Sequence, residues 1–198
     1  MRSALLRTLA AVLMLAPTTA FAHTGAGYAH GLADGFAHPL DGLDHILAMV
    51  AVGILAWQLG GRAIWLLPTS FVSLMALGGA FGISGGSLPW VEVGIAASVI
   101  VFGTMVALGM KAPLAITMGI VGLFAVFHGY AHGTAMPLAA SGGAYAAGFT
   151  LATALLHAAG IALGFLIGRF SVSYRRLAYQ LGGGLVVLAG VGILSHVI

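Results

Sequence analysis

Six apolar segments, each long enough to cross a bilayer and nearly free of charge, follow one another between residues 44 and 197, and no other feature limits the fold so tightly. They fall near 44–60, 63–82, 90–109, 113–132, 145–168 and 177–197. A hydrocarbon core of about 30 Å takes roughly 20 residues of helix, with some tilt. Loop signals divide the segments: Gly60-Gly61-Arg62, Gly85-Gly86-Ser87-Leu88-Pro89, Lys111-Ala112-Pro113, Ser141-Gly142-Gly143 and Ser173-Tyr174-Arg175-Arg176. Charged residues make up 6% of the chain, whereas a soluble domain carries about 25%. The surface must therefore face lipid. The sequence predicts an all-α membrane protein, with six transmembrane helices forming one domain over residues 23–198.

Residues 1–22 read as a cleaved signal peptide. Arg2 and Arg7 supply a positive start, Leu9 to Ala16 a short apolar stretch, and Ala20-Phe21-Ala22 a small-x-small cleavage site. Cleavage would leave His23 outside the cytoplasm. The loops then predicted to face inward contain Arg62, Lys111, and Arg169 with Arg175 and Arg176, which are all the remaining basic residues. That is the positive-inside pattern. Two unrelated arguments thus agree on a multi-pass protein of the bacterial inner membrane with a periplasmic mature N-terminus and the bilayer as its surroundings.

A pI near 9.7 invites a nucleic-acid reading. Without the leader, however, five basic and four acidic residues remain, a formal charge of only +1, and the basic ones are scattered among short loops. Nucleic acid is not an expected partner. The chain has no cysteine, which removes disulfides, thiolate metal sites, iron–sulfur clusters and cysteine nucleophiles. Gly160, Gly164 and Gly168 repeat every fourth residue and predict close packing of a neighbouring helix.

With this orientation, all four acids (Asp34, Asp41, Asp44 and Glu92) and seven of the eight histidines lie toward the outer side, leaving His157 at mid-membrane depth. Any one of them alone reads better as a helix cap or a solvated loop residue. As a set, opposite every remaining positive charge, they point to a cation site.

Two motifs sharpen that reading. In His38-Pro39-Leu40-Asp41-Gly42-Leu43-Asp44-His45, a helix starting at Pro39 would place Asp41 and His45 on one face. Met49, one turn on, reads as core. In Phe127-His128-Gly129-Tyr130-Ala131-His132-Gly133, the two histidines are four apart and can face one ion. A lone histidine in an apolar helix usually packs. Two at this spacing, matched by a second His/Asp motif at similar depth, favour ligation. Imidazole and carboxylate without thiolate suit Ni(II), Co(II) or Zn(II), and not Cu(I), Mg(II) or Ca(II).

These motifs, written His38-Pro-x-x-Gly42-x-Asp44-His45 and Phe127-His128-Gly-x-Ala131-His132-Gly133, resemble those of the HupE/UreJ family. The likeness extends to Leu67-Pro68-Thr-Ser-Phe71, to Glu92 with Gly94-Ile-Ala-Ala-Ser98, and to Gly148-Phe149-x-x-Ala152-Thr153-Ala154-Leu155-Leu156-His157. The resemblance implies a permease that takes up nickel, in some members cobalt, for hydrogenase or urease maturation. The ion would be cargo, with no prosthetic group, no enzymatic activity and maturation proteins as partners. It also implies His38, Asp44 and His45 as functional residues, with His128 and His132 beside them. The family's second motif usually continues to a Glu where this chain has Ala135. Together the two lines of reading give a metal set of His38, Asp41, Asp44, His45, Glu92, His128, His132 and His157. Two other classes fit the same residues: an intramembrane zinc-dependent hydrolase, and a metal-binding accessory protein that transports nothing. No Walker motif is present, so transport would be passive or coupled to a gradient or to trapping.

Overall fold

The computed structural model describes residues 31–136 and 142–198; the leader, its cleavage site, His23 and His30 lie outside the described residues. Within them the chain is all-helical: α1 (Leu32–Asp41), α2 (Leu43–Leu59), α3 (Ala63–Ile83), α4 (Val91–Leu108), α5 (Leu114–Ala135), α6 (Gly142–Gly168) and α7 (Val172–Val197). Helices α3 to α7 are each long and apolar enough to cross a membrane. The first expected span, 44–60, corresponds to α2, which is joined to α1 across a break with a bend of 87°, and the two qualify as a membrane span only as a pair.

That break corrects the expectation of a helix starting at Pro39. Pro39 instead occupies the last turn of α1, and Gly42, with φ −103° and ψ 118°, ends α1 and precedes α2. Asp41 and His45 therefore lie on different helices, and the shared face predicted for them does not exist. Gly42 is required for space, because a Cβ there would approach Asp44 Oδ1 to 2.6 Å and His45 Nδ1 to 2.9 Å.

Successive helices α2 to α7 alternate in direction. The main partnerships are α3 with α5, α4 with α7, and α6 with both α1 and α2. At one end Trp57 packs on Gly164 and Gly168, Gln58 Nε2 donates to Val106 O at 3.1 Å, and Tyr179 Oη donates to Gly164 O at 3.0 Å. Arg62, Lys111 and Arg169 lie between helices at this level, and Arg175 and Arg176 near the start of α7; this is hereafter the basic end. At the other end α1 lies across α6: Gly35 rests on the Tyr145 carbonyl and Gly148 on that of Leu32. Exposed Trp65 and Trp90 mark the two ends, as interfacial tryptophans do. The exposed surface between is leucine-rich, including Leu77, Leu123, Leu155, Leu181 and Leu188.

Lipid provides no hydrophobic drive for one apolar helix to bind another, so close backbone approach carries the packing. The glycine spacing of the sixth helix behaves as predicted. A Cβ on Gly160 would overlap the Val50 carbonyl, and one on Gly53 the His157 carbonyl. The α3–α5 seam repeats the device, with Gly129 on the Met75 carbonyl and Gly133 on that of Gly79. Gly53→Leu should consequently lower stability by at least about 1–3 kcal/mol. Gly119→Ala, which meets nothing within 4 Å, should leave the melting temperature in detergent unchanged.

Candidate metal centre

The two motifs meet where α1, α2, α5 and α6 converge. His38 reaches in from α1, His45 from the first turn of α2, and His128 and His132 from successive turns of α5. Their rings form a continuous run. His38 meets His132 with centroids 4.7 Å apart, His132 meets His45 at 4.4 Å, and His45 meets His128 at 4.7 Å, all nearly edge to face. His128 is fully buried, His132 is 5% exposed and His45 8%. Apolar rings wall the run: Phe149 lies 3.9 Å from His132, and Tyr145 lies 5.9 Å from His38. A cavity of about 220 Å³ between α3, α5 and α6 reaches His132, lined by Met75, Gly79, Gly129, Tyr145 and Phe149 among others.

Hydrogen bonds set the tautomers of two rings. Asp44 Oδ1 accepts from His45 Nδ1 at 2.7 Å and from the His45 backbone N–H at 2.8 Å. A carboxylate acceptor puts the imidazole proton on Nδ1 and leaves Nε2 with a lone pair. On the other motif, Ser98 Oγ donates its only proton to Ile95 O at 2.6 Å and lies 2.9 Å from His128 Nε2. His128 must therefore donate from Nε2, which leaves its lone pair on Nδ1. These two lone-pair atoms, with both nitrogens of His132, are buried and have no hydrogen-bond partner among the described residues. Buried polar atoms are nearly always satisfied, so several orphans in one place mark a site for a polar guest.

The ring spacing suits a metal. Two imidazoles binding one ion at about 2.1 Å and about 90–110° put their centroids roughly 4.6–5.3 Å apart, so the observed spacings lie at or just below the short end of that range. The orientations do not yet suit it: among the described residues, no three His, Asp or Glu side chains enclose a common point as a finished metal site. The structure gives Asp44 an orienting place, since it holds the His45 ring from behind, as carboxylates do for metal-binding histidines.

Not every candidate joins the run. Asp41 is exposed at the last position of α1. Glu92 is exposed in the first turn of α4, lining a surface cleft with Trp90, Val197 and Ile198. His157 is 1% exposed and lies deeper, reached through Phe71, whose ring centroid is 5.6 Å from His128 and 5.1 Å from His157. Sequence reasoning gave no role to Ser98, Phe71, Tyr145 or Phe149, although Phe71, Ser98 and Phe149 fall in the segments that carry the family likeness.

Comparison with known proteins agrees with the motifs. The family described as HupE / UreJ protein matches residues 11–193. The chain belongs to the HupE/UreJ family. A relative named Protein HupE, from Rhizobium leguminosarum bv. viciae, is 46% identical over 187 residues, covering 94% of this chain and 95% of its own length. No solved structure matches. This HupE/UreJ chain is thus a multi-pass membrane protein with the family's two histidine motifs brought into contact.

Ser98→Ala should strip the acceptor from a buried N–H and cost about 1–3 kcal/mol in stability. Side-chain ¹⁵N NMR should find His128 protonated at Nε2 in the native protein and in mixed tautomers in the variant. A native Nδ1–H form would overturn the assignment.

Proposed function

We propose that this HupE/UreJ protein is an inner-membrane permease that takes up Ni(II), with Co(II) as a second cargo, for the maturation of nickel enzymes. The observation that carries the proposal is the run of four imidazoles, His38, His45, His128 and His132, at the end of the bundle opposite every basic residue of the described chain. Family membership and the HupE relative support it. In this reading the mature N-terminus and α1 are periplasmic, and partner proteins of the maturation pathway receive the ion inside.

A hydrated cation is drawn to the mouth by acids and histidines and meets no positive charge there. It then exchanges water for imidazole nitrogens. His45 Nε2 and His128 Nδ1 come first, because Asp44 and Ser98 have already fixed their tautomers. His132 has two unpaired nitrogens and completes the set by rotation. Borderline donors without thiolate favour Ni(II) and Co(II) over Mg(II). Where the family's motif usually carries Glu, Ala135 offers nothing, and exposed Glu92 does not stand in for it. Binding is therefore carried by imidazole.

Uptake of radionickel and radiocobalt by cells with and without the gene, at submicromolar metal, tests the proposal; equal uptake would refute it. Ligand histidines must be neutral, and free imidazole has a pKa of about 6.5. Affinity should accordingly fall as pH drops from about 7 to about 5.5, with protons released on binding. Asp44→Asn should weaken binding about 10- to 100-fold without unfolding the protein, the usual effect of losing an orienting carboxylate. Orientation is testable separately. Single cysteines beside Lys111 and Arg175 should resist an impermeant thiol reagent in intact cells.

A further inference from the structure

We infer that His157 is a second, inner station for the transported cation, one step below the outer histidine run and divided from it by the ring of Phe71. The inference rests on the permease reading. The rings form an unbroken series into the bundle: His38, His132, His45, His128, Phe71, His157. Phe71 stands near-perpendicular to His157, at 78°, and is itself fully buried.

An imidazole always has a polar atom on each side of its ring, and burying both without a partner is costly. A histidine kept only for packing avoids that cost by bonding to a neighbour. His157 does not. Neither of its nitrogens has a hydrogen-bond partner among the described residues. Thr153, one turn away on the same face of α6, is fully buried and turns its hydroxyl to Met75 Sδ at 3.8 Å. Backbone packing pins the position, since the His157 carbonyl lies directly against Gly53.

Phe71 and Met75 are likewise one turn apart on α3, so the thioether and hydroxyl lie one turn toward the histidine end from the Phe71–His157 contact, and imidazole, thioether and hydroxyl follow one another along the two helices. That set suits a partly dehydrated, borderline-soft divalent ion and suits Mg(II) or Ca(II) poorly. Toward the basic end the next layer is Leu55, Leu67, Phe102 and Val121, all fully buried. The ion thus has two polar levels separated by an aromatic ring, above an apolar seal. Conduction needs several moderate sites in preference to one tight one.

The test uses purified protein in detergent for Co(II) binding and in sealed liposomes for Co(II) and radionickel uptake. His157→Ala and His157→Gln are compared with wild type, with melting curves to verify folding. We expect both variants to bind Co(II) within about 3-fold of wild type, yet to lose at least about 10-fold in initial uptake. Gln keeps most of the volume and the hydrogen-bonding capacity, so wild-type uptake by His157→Gln would make His157 a packing residue and overturn the inference. Loss of Co(II) binding by a folded His157→Gln, in step with uptake, would also overturn it, because His157 would then belong to the outer site. If wild-type protein binds Co(II) and fills no vesicle, the permease reading itself fails and the inner station with it, a result separable from the other two because it appears before any substitution.

Discussion

In hydrocarbon, apolar helices gain nothing by leaving solvent for one another, and the bundle depends on how closely its backbones can meet. Here they meet at glycine. The α2–α6 crossing at Gly53 and Gly160, and the α3–α5 seam at Gly78, Gly129 and Gly133, press one helix's missing side chain onto another's carbonyl. The candidate site histidines sit at these crossings. His128 and His132 each precede a seam glycine by one residue, and the carbonyl of His157 is itself part of the α2–α6 contact. Close helices leave little width between them, so the imidazoles must stack edge to face. The same glycines that replace a hydrophobic core as the source of cohesion therefore fix the spacing of the rings.

A second constraint follows from burial. Water is absent from the bilayer interior, so a polar group placed there must find a partner inside the protein. The chain meets this demand unevenly. His45 and His128 are each held on one side, by Asp44 and by the Ser98 hydroxyl, and are left open on the other. His132 is held only by stacking on Phe149 and by its neighbouring rings. The pattern is two oriented donors and one adaptable one. In soluble metal sites the same division appears between ligands and the groups that aim them.

The sequence made the bundle legible because hydropathy acts over whole helices: each span appears within a few residues of its expected limits. Pro39 drew the expectation of a helix start there, yet it sits in the last turn of α1, and the span itself begins at Leu43. The decisive fact, that Gly42 leaves room for the Asp44–His45 pair, is a matter of three-dimensional space. The two histidine motifs were legible as spacing, and the fold brings them together. Asp41 and Glu92 drew attention as rare charges, yet charge alone does not say which way a residue faces, and both face outward. Ser98 and Phe71 were illegible for the opposite reason. A serine and a phenylalanine in an apolar run carry no signal until a histidine from another helix is set against them.

The incomplete convergence of the donors agrees with the proposal of a cargo ion in preference to a resident one. A resident metal is normally enclosed by a full, near-ideal shell, and its removal is slow because every ligand must be lost. A cargo ion must arrive and leave, and a site that closes only after ring rotation holds it less tightly. The bend between α1 and α2 serves the same end. By lying across α6 at the histidine end, α1 adds His38 to the run through a short helix, while the spanning helices stay locked by their glycine contacts. Motion needed to admit an ion can then be confined to side chains and to α1. On the route proposed above an ion passes the Phe71 ring, a side chain that takes no part in the backbone seam at Gly78 and Gly129. The bundle is rigid where helices touch and adjustable where rings touch, and that division follows directly from packing glycine against carbonyl beside histidine against histidine.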